Sequence, residues 1–383
     1  MTPVLEGLFW LLTASVLYVY CGYPLLVFLA ARVAPRPIRA QAYEPTVSLL
    51  IAAYNEQAHI GPTLTNKLAL DYPPERLQII VVSDGSTDGT DDTVREHAAD
   101  GVTLLRQEPR NGKTSALNLA LRYATGDILV FADANSLYDP SALRHLISNF
   151  ADPEVGYVTG TLAYLNPDGS MTADGCSTYM RYENLIRTWE SASGSLVGVN
   201  GGIDAVRKGL YEPMHADDLP DLVLPLKVVA KGYRVVYEPR ALLREVAHAN
   251  ARDEYRMRTR VSLRAIWTLS DMSELLSIRR HGFYAVQLLS HKVLRYLAFF
   301  FMAGTFITAA LLWPVGWVYR LAFVLQVAFA VAALMGYAAE RAGRPSRLLA
   351  MPYYFVLVNA AALVAFCRFL NGKRHRTWNP RLG

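Results

Sequence analysis

The stretch "VVSDGSTDGTDD", residues 81–92, sets a short β-branched run directly against Asp, Gly, Ser and Thr. β-Branched residues suit strands, Gly admits positive φ, and Asp, Ser and Thr bond nearby backbone and cap helices. Taken alone, the stretch reads as a strand that turns and enters a helix. Whether the turn also holds a ligand depends on what the neighbouring strands end in.

Outward from it, "TVSLLIAAY" (46–54), "LQIIVVS" (77–83), "VTLL" (102–105) and "DILVFAD" (127–133) are short, continuously apolar runs, separated by helix-like stretches at 57–70, 92–99 and 114–124. That alternation predicts an α/β fold with a doubly wound, mainly parallel sheet covered on both faces. Ligands of such sheets bind beyond the carboxyl ends of the strands. Here the first strand ends at Tyr54-Asn55-Glu56, the second at Asp84-Gly85-Ser86 and the fourth at Asp133-Ala134-Asn135. Three strand ends thus deliver acidic or amide groups to one rim, which favours a site over turn chemistry alone. A nucleotide suits this rim. Its base and ribose donate hydrogen bonds that Glu56 and Asp84 accept, and its diphosphate needs a hard cation, Mg²⁺ or Mn²⁺, between it and Asp133. Lys113 offsets phosphate charge.

Rival readings fall on spacing. "NGKTS" (111–115) has Gln107 where a phosphate-binding P-loop requires glycine, and no glycine-rich dinucleotide fingerprint follows any strand. Cys21, Cys176 and Cys367 give neither a disulfide framework nor a zinc spacing. The net charge of +5 is concentrated locally: "RDEYRMRTRVSLR" (252–264) sets Arg256, Arg260 and Arg264 four apart on one helix face. A membrane surface or a phosphate clamp both suit that face. No nucleic-acid motif accompanies it, so nucleic acid is not an expected partner.

Of the 383 residues 52% are apolar, and the excess lies at the two ends. Residues 7–31 carry no charge over 25 positions, more than the about 20 that cross a bilayer. Uncharged stretches follow at 296–319, 321–339 and 348–367, the first reaching a turn at Pro314 and Gly316. The expected organisation is an N-terminal transmembrane helix with basic linker (1–39), a catalytic domain (40–268), an interfacial amphipathic segment (269–292), about three transmembrane helices (293–370) and a basic tail (371–383). Arg32, Arg36 and Arg39 after the first span put the catalytic domain in the cytoplasm of a multi-pass inner (plasma) membrane protein. Three later crossings would leave the tail outside, against Lys373, Arg374 and Arg376, so one of those stretches is a candidate re-entrant or interfacial segment.

In order along the chain, "AAYNE", "VVSDGSTDGT", "GKTSALNLAL", "GDILVFADAN", "GVNGG" and "DLVLPLKVVAKGYRVVYEP" resemble a membrane-bound glycosyltransferase of family 2, similar to cellulose synthase and hyaluronan synthase. The resemblance covers about residues 44–268. It implies a GT-A fold, a nucleotide-diphosphate sugar donor with UDP the first expectation, a divalent cation, and transfer with inversion at the anomeric carbon. It makes Tyr54, Glu56 and Asp84 nucleoside contacts and Lys113 a donor contact. Asp133 becomes the first ligand of an Asp-x-Asp metal motif whose second position is Asn135 here, a neutral oxygen ligand.

In "HADDLPDLVLPLKVV" (215–229) the resemblance makes Asp221, three residues before Leu224, the general base. Pro220 replaces the family's preceding acid, so Asp218 remains an alternative base, and a helix N-terminus is the alternative for the whole cluster. The Gln-x-x-Arg-Trp signature of processive synthases is replaced by Arg260, Arg264 and Trp267, with the arginines expected at the diphosphate. Trp189 and Trp267 suit either sugar stacking or core packing, and Trp378 suits a tail that returns to the catalytic opening. The expected function is sugar transfer to a polysaccharide or lipid-linked acceptor within membrane lipids. The alternatives are single addition to a lipid phosphate and an inactive donor-binding subunit, the latter prompted by Asn135 and Pro220.

Overall fold

The computed structural model describes residues 2–165, 170–246 and 251–374. Arg376 and Trp378 lie outside the described residues. The chain divides into two compact units: Ala34–Ala163, Arg187–Glu245 and Arg374–Gly383 in one, Met1–Val33, Tyr164–Ile186 and Val246–Lys373 in the other. Residues 164–186 and 246–268, expected within one catalytic domain, therefore group with the apolar helices.

The first unit is built on one eight-stranded sheet of Val47–Ala53 (β1), Leu77–Ser83 (β2), Val102–Arg106 (β3), Ile128–Asp133 (β4), Leu137–Tyr138 (β5), Val155–Leu165 (β6), Ile203–Arg207 (β7) and Arg234–Val246 (β8), in the order β3-β2-β1-β4-β7-β6-β8-β5. The first four in that order are parallel, as expected, and every residue of β1 is buried, which is why its sequence shows no alternation. β7 is antiparallel to both β4 and β6, an insertion the strand count from sequence omitted.

Register explains the rim. Ala53 pairs with Ser83 and Ala52 with Asp133, so β1, β2 and β4 end at one edge, and Ala132 pairs with Ile203, so antiparallel β7 begins there. Beneath it Leu50, Ile80, Val82 and Phe131 pack with Ala116, Leu117 and Ala120 of the helix Lys113–Leu121 and with Val223, Leu224 and Val228 of the helix Pro220–Ala230. Full burial stabilises each large aliphatic or aromatic side chain by about 1.5–3 kcal/mol, which anchors both helices to the sheet.

Among the described residues, the second unit holds four helices long and apolar enough to cross a membrane: Thr2–Val33, Phe283–Leu311, Trp317–Arg341 and Arg347–Leu370. The second begins at Phe283, not Tyr296, so 283–292 continues that helix. Two of its charged positions meet one carboxylate: Glu183 forms an ion pair with Arg295 at 2.6 Å and lies 3.2 Å from His291. Pairing of this kind lets charged positions sit in a helix that an uncharged window passes over. The first two of these helices each contain a π-helical turn, Tyr18–Gly22 and Leu289–Val293, joined by the hydroxyls of Tyr18 and Ser290 at 2.8 Å. In the helix Ala251–Asp271, the Trp267 ring meets Phe369 edge-on at 4.6 Å and its Nε1 donates to the Lys373 carbonyl, as a packed side chain does. The three cysteines are free thiols.

Candidate active site

The turn after β2 is built as its composition requires. Gly85 takes φ +70, and Asp88 accepts from the backbone N–H and hydroxyl of Thr90, the first residue of the helix Thr90–Glu96. Thr90 also accepts the Glu56 N–H at 2.9 Å and Asp88 the Gln57 N–H at 3.2 Å, so the β1 and β2 loops are tied together. Asn55, at φ +52, receives the Thr87 N–H on its side-chain oxygen.

Asp84 is buried, and in this state both its oxygens are engaged. It accepts the backbone N–H groups of Asn111 and Gly112 at 2.8 Å and the Gln107 side-chain amide at 2.5 Å. Its task in this structure is therefore to anchor the 107–112 loop. Arg110 from the same loop lies flat on Tyr54, 3.5 Å from the ring centroid, and 3.7 Å from Asp84. Glu56 is also buried, at the N-cap of the helix Gln57–Leu68.

Lys113 and Asp133 meet at 2.5 Å. Opposite them, Gly201 and Gly202 lead into β7. A Cβ at 202 would lie 2.8 Å from Asp133 Oδ2 and one at 201 would lie 2.8 Å from Asp221 Cγ. The two glycines of "GVNGG" are thus the floor on which two carboxylates rest. Asp221 lies in the first turn of the helix Pro220–Ala230, whose N-cap, Leu219, makes no side-chain cap hydrogen bond. Asp218 behaves otherwise: its carboxylate accepts the His215 N–H at 2.8 Å, closing its own turn, and its carbonyl accepts from Thr114. Asp217 pairs with Arg374 at 2.9 Å.

The sequence reading missed two buried groups. Asp204, the second residue of β7, is 2% exposed and accepts from the Tyr157 hydroxyl through Oδ2. Burial first, then the charge of Asp221, push its carboxyl well above the usual range, opposed by the Tyr157 hydrogen bond and Lys113. Lys67, fully buried, donates to the Ser136 carbonyl at 2.6 Å with its ammonium 3.6 Å from the Tyr138 ring centroid, and burial pushes its pKa far down against the pull of Asp133. With Thr63 on the Ala134 carbonyl and Tyr138 on the Gly202 carbonyl, Lys67 locks the loop that carries Asp133 and Asn135. The signal for both was a charged residue inside an otherwise apolar strand or helix face.

Lys113 shows the balance of the site. Burial opposes its charge, yet Asp133, then Asp221 and Asp204, outweigh burial and hold the ammonium well above the ordinary lysine value. Lys113, Asp133 and Asp221 are therefore brought together, with Asp204 added. Arg260 and Arg264 lie on the helix Ala251–Asp271 of the other unit, and Trp189 is half-buried on the helix Met171–Ser193.

Among the described residues no three His, Cys, Asp or Glu side chains form a metal cage. Mg²⁺ and Mn²⁺ that arrive with a nucleotide take one or two protein carboxylates and fill the remaining positions with phosphate and water. The pair Asp133 and Asn135 fits that kind of binding. Asn135 turns its amide nitrogen toward Glu245, 3.5 Å away.

Residues 48–173 match the family model described as glycosyl transferase family 2. That stretch runs from β1 through β6 and carries Asp84, Lys113 and Asp133. Poly-beta-1,6-N-acetyl-D-glucosamine synthase of Staphylococcus aureus (strain COL) is 30% identical over 203 residues, 51% of this chain and 48% of that protein. A probable glycosyltransferase, YdaM, of Bacillus subtilis (strain 168) is 29% identical over 231 residues, 56% and 54% of the two chains. The chain thus spans about half the length of the curated relatives it matches. A solved structure of a mannosyltransferase from Pyrobaculum calidifontis, in complex with GDP-Man and Mn²⁺, superposes with a TM-score of 0.71 at 25% identity, over 96% of this chain and 99% of that one. The chain has the expected GT-A fold, its sheet mixed where a mainly parallel one was expected, and among the described residues it also holds four apolar helices.

Proposed function

We propose that the protein is an inverting membrane glycosyltransferase that moves a sugar from a nucleotide diphosphate to a polysaccharide or glycolipid acceptor, with Asp221 as general base. The observation that carries this is the pair of adjacent glycines, which seat Asp133 and Asp221 side by side while Lys113 faces both. In that arrangement Asp221 takes the proton of the acceptor hydroxyl as its oxygen attacks the anomeric carbon, a role that typically contributes about 10²- to 10⁴-fold. Lys113 balances charge on the departing diphosphate. Asp133 and Asn135 would hold a divalent cation, whose chemistry is to neutralise that leaving group. The hydrogen bond of Asp218 to its own turn favours Asp221 over it. Tyr54, Glu56 and Asp84 serve the nucleoside after the 107–112 loop opens.

The four apolar helices and the arginines after the first support a multi-pass membrane protein with a cytoplasmic catalytic unit. The Arg374–Asp217 pair supports a tail on the side of that unit, which requires an even number of crossings among the last three helices. Single addition is a second reading, and the likeness to a mannosyltransferase in complex with GDP-Man over nearly the full length of both chains suggests the donor to try in it. Its donor would be GDP-mannose rather than a UDP-sugar.

The test is nucleotide diphosphate release by the nanodisc-embedded protein over a panel of UDP- and GDP-sugars with Mn²⁺ or Mg²⁺. Lipid-phosphate and oligosaccharide acceptors are supplied in separate arms. Turnover with one donor is expected, and the productive acceptor distinguishes chain extension from single addition. Donor binding with no turnover in any arm overturns the enzyme reading in favour of an inactive subunit.

A further inference from the structure

The Lys113–Asp133 pair raises a conflict. Asp133 Oδ1 is 2.5 Å from the Lys113 ammonium, so a divalent cation held by this carboxylate would lie close to a second cation and meet strong repulsion. Lys113 must move, and it starts a helix fixed to the sheet, so only its side chain is free to do so. The other carboxyls that act on its charge are Asp221 and Asp204. An ammonium against Asp221 would lower that group's affinity for the acceptor's proton. Asp204 has no such duty. Its Oδ2 accepts from Tyr157, whereas its Oδ1 is buried and has no hydrogen-bond partner among the described residues. Native folds rarely leave a buried acceptor unused.

We propose that Asp204 is a positioning residue that receives the Lys113 ammonium when a divalent cation takes Asp133. The inference rests on the reading of Asp133 as the cation's carboxylate. An ammonium arriving at Asp204 favours its ionised form, which holds Lys113 by charge as well as by a hydrogen bond, as a neutral amide would not, and the three donors of Lys113 let it hold Asp204 while still facing the diphosphate. When the cation leaves with the nucleotide, Lys113 returns to Asp133, so the resting site is never left with an uncompensated carboxylate.

A double-mutant cycle tests this in the full-length protein in nanodiscs, with Mn²⁺ binding read from the electron paramagnetic resonance of free Mn²⁺ in the presence of UDP or of GDP. Asp204→Asn should weaken Mn²⁺ binding roughly ten-fold, within the range of ordinary coupling between sites. In a Lys113→Met background the same substitution should change binding less than about two-fold, because the ammonium it serves is gone. Equal weakening in both backgrounds overturns the proposal, since the effect would then be plain loss of negative charge. Undiminished binding in Asp204→Asn overturns it while leaving the glycosyltransferase reading intact. A wild type that binds no Mn²⁺ with either nucleotide overturns it together with the cation part of that reading. Should Asp204→Asn fail to fold, Asp204→Ser, which keeps a hydroxyl for Tyr157, is read by the same criteria.

Discussion

Gly201→Ala is a small perturbation aimed at the proposed base. The φ of Gly201 lies outside the left-handed region, so alanine brings no backbone strain and acts only through its methyl group. That methyl would lie 2.8 Å from Asp221 Cγ, whereas unstrained carbon–carbon contacts sit at about 3.5–4.0 Å. The carboxylate must therefore retreat by about 0.7–1.2 Å, and a displacement of about 1 Å at a reacting group is enough to lower a rate by roughly 10²-fold. Steady-state nucleotide diphosphate release should show kcat reduced by about that factor. Donor KM should stay within a few-fold, because the Asp84 loop is untouched, and the melting temperature should shift by only a few degrees. A folded Gly201→Ala protein with wild-type kcat would refute the reasoning, since the position of Asp221 would then not matter to the chemistry.

Lys113→Met should raise donor KM by at least about ten-fold, as expected for loss of a charge-assisted partner of phosphate, and saturation curves of diphosphate release measure it. Asp204→Asn should raise the melting temperature at pH 7, with the gain closing as pH falls toward about 4. The folded carboxyl holds its proton while the unfolded chain releases it, so the fold loses stability as pH rises through the ordinary carboxylate range, and the amide removes that loss. Glu183→Ala should destabilise the helical unit by up to about 3–5 kcal/mol, because it leaves Arg295, only 16% exposed, without its carboxylate; thermal unfolding in detergent reads this, and an unchanged transition would contradict it.

The strand ends were legible because a buried parallel sheet writes itself as continuous apolar runs, and its register then delivers Tyr54, Asp84 and Asp133 to one edge. β7 was not, since "IDAVR" is short and interrupted by a carboxylate, which reads as surface unless its neighbours are known. "GVNGG" was visible as a motif, but only the fold reveals that absent side chains make room for Asp133 and Asp221. Asp84 was legible as a rim residue and not as the anchor of the 107–112 loop, because that role depends on backbone N–H groups no sequence pattern displays. The start of the second apolar helix at Phe283 was hidden by His291, Lys292 and Arg295, two of which are paired with Glu183, more than 100 residues away in the chain.

The most direct test of the central claim is Asp221→Asn compared with wild type in one preparation, measuring donor affinity by calorimetry and turnover by diphosphate release. The account predicts unchanged donor and cation binding with kcat lowered by about 10²- to 10⁴-fold. Turnover retained in Asp221→Asn, with donor binding intact, would contradict it and pass the base to another group.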